Sequence, residues 1–137
     1  MAFFRIVPNL TIMAPKDFKE LEDMMTFAVN LKAPVVIRYP RGGEAERKFR
    51  SHSYIYLKRA ETLTIGKDVT IVAIGNQVSK AMEVCIRLKK YGISAEVINA
   101  RFIKPFDKYA IINSIFKTRF VVTIEDGTLV RRASYNN

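Results

Sequence analysis

The sequence predicts an α/β fold: an open, mostly parallel sheet with flanking helices, preceded by a partial β-α-β unit. Three observations carry this. Residues 69–74, Val-Thr-Ile-Val-Ala-Ile, form an almost wholly apolar, β-branched run of the kind found in a strand covered on both faces. Apolar runs alternate along the chain with segments of helical period, the order that gives parallel strands joined by crossover helices. Hydrophobic residues make up 49% of the 137 positions, enough for a packed core.

The elements follow in order. Residues 10–13 form a short apolar run ended by Ala14-Pro15. Asp17 and Glu20 stand at capping-box spacing, and Phe18, Leu21, Met24, Met25, Ala28 and Val29 then repeat as one apolar helix face. Lys32-Ala33-Pro34 stops that helix, and residues 35–38 read as a strand parallel to the first. Residues 44–67 are polar and charged without helical period, with at most a short extended stretch at 54–57. They read as a linker, and His52 within them is a solvated side chain with no role. After the strand at 69–74, Gly75-Asn76 turns the chain and Asn76 is an N-cap candidate. Val78, Ala81, Met82, Cys85 and Leu88 form the buried face of the next helix. Lys89 and Lys90 complement its dipole, and Gly92 suits a left-handed C-cap. Residues 95–99 are a second strand and 101–105 a crossing segment. Asp107 caps a helix with core positions Ile111, Ile112, Ile115 and Phe116, and residues 120–124 are a third strand. Its outer edge lacks a further strand, as expected of a piece of a larger protein.

Composition narrows the function. No apolar run reaches the length of a membrane span, and the first residues lack the pattern of a signal peptide. The single cysteine, Cys85, excludes an intrachain disulfide framework and fits a reducing compartment, so the cytoplasm is expected. Cys85 shares its helix face with Met82 and Leu88, which makes it a core residue rather than a nucleophile. The net charge of +10 admits nucleic acid, an anionic substrate or simply a basic surface. The charges are dispersed and no nucleic-acid-binding motif accompanies them, so no nucleic-acid partner is expected.

Ligands of open α/β sheets gather beyond the carboxyl ends of the strands. Three segments fall there. Arg38-Tyr39-Pro40-Arg41-Gly42-Gly43 places two guanidiniums three residues apart at a strand end, as a phosphate or carboxylate site would, or as a surface turn with solvated arginines would. Gly75-Asn76 is an anion-binding helix start or an ordinary turn. Glu125-Asp126-Gly127 offers carboxylates for acid-base or metal chemistry, or is a polar strand terminus. Arg101, in Asn99-Ala100-Arg101-Phe102-Ile103-Lys104-Pro105, is either an anion contact or a structural arginine packing along a surface or interface, and the structural role is favoured.

Five segments together resemble the 1-deoxy-D-xylulose-5-phosphate synthase family of transketolase-like enzymes. They are residues 6–17 (with Ala14-Pro15-Lys16-Asp17), Val36-Ile37-Arg38-Tyr39-Pro40-Arg41-Gly42, residues 66–75, residues 99–105 and residues 121–127 (ending Glu125-Asp126-Gly127). They stand in family order from about Phe3 to Val130. The resemblance implies residues 1–43 as the end of a pyrimidine-binding domain, 44–61 as a linker, 62–130 as an incomplete transketolase C-terminal-like domain and 131–137 as a divergent tail. It implies condensation of pyruvate with glyceraldehyde 3-phosphate and loss of carbon dioxide, a step toward isoprenoids and thiamine. Thiamine diphosphate and Mg2+ serve the family, but the segments that hold them would lie upstream of Met1. No catalytic, cofactor or metal ligand is therefore expected in this chain, and it is expected to be inactive alone. Arg41 falls on the family's phosphate-binding arginine, with Arg38 a secondary candidate. The implied partners are the rest of a synthase or a second copy, and a phosphorylated small substrate. The alternative is a non-catalytic module docking on transketolase-like subunits, and after that a basic nucleic-acid binder.

Overall fold

A computed structural model describes residues 6–40, 49 and 53–126. The first unit is the β-α-β that the sequence predicts. Strand β1 (Thr11–Met13) leads to helix α1 (Phe18–Leu31) and returns as β2 (Val35–Ile37). β1 and β2 pair in parallel, Thr11 opposite Val35 and Met13 opposite Ile37. Asp17 caps α1 by accepting from the Glu20 N–H at 2.7 Å. The Glu20 carboxylate reaches back to accept from the N–H of Lys16 at 2.7 Å.

The larger sheet holds β3 (Glu61–Thr64), β4 (Val69–Ala73), β5 (Ala95–Asn99) and β7 (Val121–Ile124) in the order β3-β5-β4-β7. β4 is parallel to both β5 and β7. Helix α2 (Gln77–Lys90) covers one face, where Val78 and Ala81 pack on Ile71, Ala73 and Val97. Helix α3 (Lys108–Thr118) covers the other, where Ile111 and Ile115 meet Val72, Ile98 and Ala100. Residues 70–73 of β4 are buried, as expected of a central strand.

Several expectations need correction. The segment read as linker through residue 67 ends in strand β3, antiparallel to β5. Its four residues, Glu-Thr-Leu-Thr, are too short and too polar to register as a strand. The stretch at 54–57 is not a strand. The crossing segment after Arg101 contains strand β6 (Phe102–Lys104), which pairs antiparallel with β1 and completes the order β2-β1-β6. Phe102 is fully buried with Met13 and Met24, and its ring meets Phe27 edge-on at 6.1 Å. The later part of the chain thus supplies a strand and a core residue to the N-terminal unit.

Helical period identified shared faces but not what covers them. Met24 is buried, whereas Phe18, Met25 and Val29 of the same predicted face are exposed. On α3, Ile111 is buried while Ile112 and Phe116 are exposed. The other buried α3 positions are Ser114 and Thr118, whose hydroxyls each lie 2.6 Å from that of Thr70 on β4. Asn76 precedes α2 but makes no side-chain cap. The Gly92 cap is as expected, with φ +75°, the Ile93 N–H on Leu88 O and the Gly92 N–H on Lys89 O, both at 3.1 Å.

Candidate functional site

The carboxyl ends of the parallel strands meet at one place. A cavity of about 220 Å3 is lined by Ile12 of β1, Arg38 after β2, Val72 and Ala73 of β4 and Glu125 after β7, with Ile103 and Phe106 closing it. A smaller cleft beside it is lined by Ala14, Arg38, Pro40, Gly75, Asn76 and Asp126. Arg38 borders both. The three sequence candidates, far apart in the chain, therefore line adjoining clefts through Arg38, Gly75-Asn76 and Glu125-Asp126. Arg41, Gly42, Gly43 and Gly127 lie outside the described residues, as does His52.

Local physics explains the placement. The Arg38 N–H bonds the Met13 carbonyl at 2.8 Å, continuing the β1–β2 ladder one residue past the strand. One guanidinium N–H donates to the Asp126 carbonyl, which ties the ends of β2 and β7 together. A guanidinium has five donors in a rigid fork, so this bond steers the group, and among the described residues it is the one side-chain hydrogen bond that Arg38 makes. Gly75 adopts φ +62°, and a Cβ there would sit 3.5 Å from that of Ala14. The chain can thus turn from β4 into α2 close against the first unit. A small apolar cavity with a cation on one wall and a carboxylate on another can orient a small polar or anionic molecule.

A second polar constellation escaped the sequence reading. Lys16, Glu20, Glu61, Asn99 and Arg101 are all buried. Lys16 Nζ lies 3.1 Å from Glu20 Oε1 and 2.8 Å from Glu61 Oε2. Arg101 Nε donates to Glu20 Oε1 at 2.8 Å, and its Nη2 lies 3.2 Å from Glu61 Oε2. Asn99 Nδ2 donates to both carboxylates. The remaining Arg101 donors go to the carbonyls of Ser53 and Tyr54, each at 3.1 Å. Burial alone would raise the Glu61 pKa, but the hydrogen bond from Lys16 and the charges of Arg101 and Lys16 bring it below the ordinary value. Two cations offset two carboxylates with their hydrogen bonds made, so the cluster is a structural tie and not a ligand site. Arg101 is structural, as the sequence favoured, but it is buried between the units. Lys16 beside a helix cap was the visible signal, a charged residue directly following the Ala14-Pro15 that ends the apolar run 10–13. Its partner Glu61 is 45 positions away.

Fold and cleft together define an α/β protein with adjoining clefts at the carboxyl ends of its parallel strands. The chain belongs to the transketolase C-terminal domain family, whose description, "Transketolase, C-terminal domain", matches residues 58–131. It is 46% identical over 130 residues to a 1-deoxy-D-xylulose-5-phosphate synthase of Halothermothrix orenii, covering 94% of this chain and 20% of that protein. It is 46% identical over 133 residues to the synthase of Desulfotalea psychrophila, covering 94% and 21%. The chain thus spans about a fifth of the length of these curated relatives. Among solved structures it resembles a split-gene transketolase described as an inactive β4 tetramer, with a TM-score of 0.87, 32% identity and coverage of 94% of this chain and 43% of that one. A transketolase of Pichia stipitis in complex with sedoheptulose 7-phosphate shares the fold, with a TM-score of 0.71 at 24% identity and coverage of 95% and 20%.

The family is thiamine-diphosphate-dependent. A diphosphate held through Mg2+ needs several oxygen ligands at one point. Among the described residues no group of three or more His, Cys, Asp or Glu side chains could hold a metal ion. The described residues do not fit the cofactor's diphosphate end. No helix among the described residues is long and apolar enough to cross a membrane.

Proposed function

We propose that this chain is the part of a 1-deoxy-D-xylulose-5-phosphate synthase that receives the phosphate of glyceraldehyde 3-phosphate. The carrying observation is the 46% identity to such synthases across 94% of the chain. Arg41 is the principal phosphate ligand in this reading, and Arg38 supports it from the strand end. The position of Arg38 on the wall of the cavity supports that assignment. The complete enzyme would join pyruvate to the triose phosphate with loss of carbon dioxide, in the cytoplasm. Thiamine diphosphate and Mg2+ would be held by the rest of a synthase or by a companion polypeptide. Within this chain, residues 1–43 would close the pyrimidine-binding domain, 44–61 would link it, 62–130 would form the C-terminal domain and 131–137 would be a tail. Alone the chain would be inactive.

Two measurements test this. Calorimetry of the purified chain with thiamine diphosphate and Mg2+ is expected to show no binding, and tight magnesium-dependent binding would overturn it. Glyceraldehyde 3-phosphate titrated into the chain together with a cofactor-bearing synthase portion is expected to bind, and Arg41→Ala is expected to weaken this by about 30-fold, the loss of a charged hydrogen-bond pair. Unchanged affinity in Arg41→Ala would remove the assignment. A second reading, a non-catalytic module docking on transketolase-like subunits, draws on the exposed Phe18, Met25 and Val29 of α1. Failure to associate with an intact synthase would count against that reading.

A further inference from the structure

The chain passes from the larger sheet to the smaller one through a single tight turn, between β5 and β6. Arg101 is its centre, at φ +57°. The Phe102 N–H closes the turn on the Ala100 carbonyl at 2.5 Å. A three-residue turn of positive φ is rare and costly for any residue but glycine. Such backbone persists where its surroundings over-determine it. Here the side chain supplies that constraint. Arg101 Nε donates to Glu20 Oε1 at 2.8 Å, Nη1 to the Tyr54 carbonyl at 3.1 Å and Nη2 to Ser53 Oγ at 3.0 Å. The group is buried, and its own N–H donates to Asn99 Oδ1 at 3.3 Å. The planar fork is thus held on several sides at once, which a lysine ammonium could not match.

The turn's remaining carbonyl leads to the clefts. The Ala14 N–H donates to the Arg101 carbonyl at 2.9 Å. The carbonyl of that same peptide group, on Met13, accepts the Arg38 N–H at 2.8 Å. A peptide group is planar and stiff. One rigid plate therefore joins the backbone of Arg101 to the backbone of Arg38, and Arg38 borders both clefts. Ala100 and Ile103, on either side of the turn, line the larger cleft themselves. We infer that Arg101 is a positioning residue for Arg38. Its buried guanidinium holds the strained turn, and the turn sets Arg38 through the Met13–Ala14 peptide. The consequence for ligand binding rests on the reading of Arg38 as a phosphate contact, whereas the mechanical link does not.

Amide hydrogen exchange on the full chain tests the link. Two variants are compared, Arg101→Ala/Glu61→Gln and Arg101→Gly/Glu61→Gln. Each removes one cation and one carboxylate, so Lys16 and Glu20 stay paired. Both lack the guanidinium, and they differ in the cost of a positive φ, which glycine adopts freely. The amides of Ala14, Phe102 and Arg38 are expected to exchange about tenfold faster in the Ala variant than in the Gly variant. Equal exchange, or faster exchange in the Gly variant, would mean that Arg101 only neutralises buried carboxylates, and would overturn the inference. So would an Ala variant that folds, by circular dichroism, where the Gly variant does not. If neither folds, Arg101→Lys decides: it keeps the charge and loses the fork, and wild-type exchange at the three amides overturns the inference. Glyceraldehyde 3-phosphate is then titrated into each folded variant together with a cofactor-bearing synthase portion. Binding is expected to weaken more in the Ala variant than in the Gly variant, and equal affinity in the two would sever the turn from the site. A wild-type chain that binds no triose phosphate would remove the phosphate reading of Arg38, while the exchange of its amide still judges the role of Arg101.

Discussion

Single residues set the tolerances of this fold. A Cβ on Gly66 would lie 2.2 Å from the carbonyl carbon of Ala95 and 2.3 Å from the nitrogen of Glu96. Both are backbone atoms of the fully buried strand β5, so neither can move aside. Gly66→Ala is therefore expected to destabilise by about 2–4 kcal/mol. Urea unfolding would show this as a lower midpoint, and an unchanged midpoint would remove the close approach. Nothing in the sequence marks Gly66, because the atoms it admits lie some thirty positions downstream. Gly92 was legible for the opposite reason. Its role is fixed by Leu88 and Lys89 in the same helix end. Arg38 was legible as a cation following an apolar run. Glu20 was legible only as a capping residue, since its partners Asn99 and Arg101 are 79 and 81 positions away.

Among the elements, length decided what could be seen beforehand. β4 and β5 are five residues each and buried, and their β-branched runs announce them. β3 and β6, at four and three residues, hold too few side chains for a period to emerge. Yet β6 joins the two sheets' chain segments. It follows β5 directly and pairs with β1, burying Phe102 beside Met13 and Met24. Phe102→Ala is expected to lower stability by about 3–5 kcal/mol. Hydrogen exchange is the informative readout: amides of β1 and β2 should lose protection although the substitution lies in the later part of the chain. Protection lost only around residue 102 would mean that β6 does not hold the first unit. The helices teach a related lesson. Period told that Phe18, Met25 and Val29 share a side with Leu21, but coverage depends on what packs there.

At the scale of the molecule, the buried charges make stability depend on acid. The folded Glu61 pKa lies below its ordinary value of 4.5, held there by Lys16 and Arg101 against the opposing effect of burial. Glu96 is lowered in the same sense, with burial opposed by hydrogen bonds from Lys117, Ser114 and the Gly66 backbone. A depressed folded pKa adds stability that is complete above the unfolded value and is lost as pH falls through the folded one. Unfolding midpoints should thus hold steady from this source between pH 7 and about 5 and decline below about 4.5. Glu61→Gln should be less stable at neutral pH and show a shallower acid decline, and an equal slope in both proteins would exclude Glu61 as a contributor. The sequence by itself determined the first β-α-β unit, the parallel centre of the larger sheet, the helix caps at Asp17, Asp107 and Gly92, and the strand-end location of Arg38. These rest on patterns complete within about twenty residues, where propensity and period act directly. Only the tertiary structure decided that β6 completes the first sheet, that Lys16, Glu20, Glu61 and Arg101 close on one another, that α1 leaves half its apolar face open, and that three distant segments line adjoining clefts. Each of these depends on atoms brought together across tens of residues, and local sequence carries no record of which distant surface arrives.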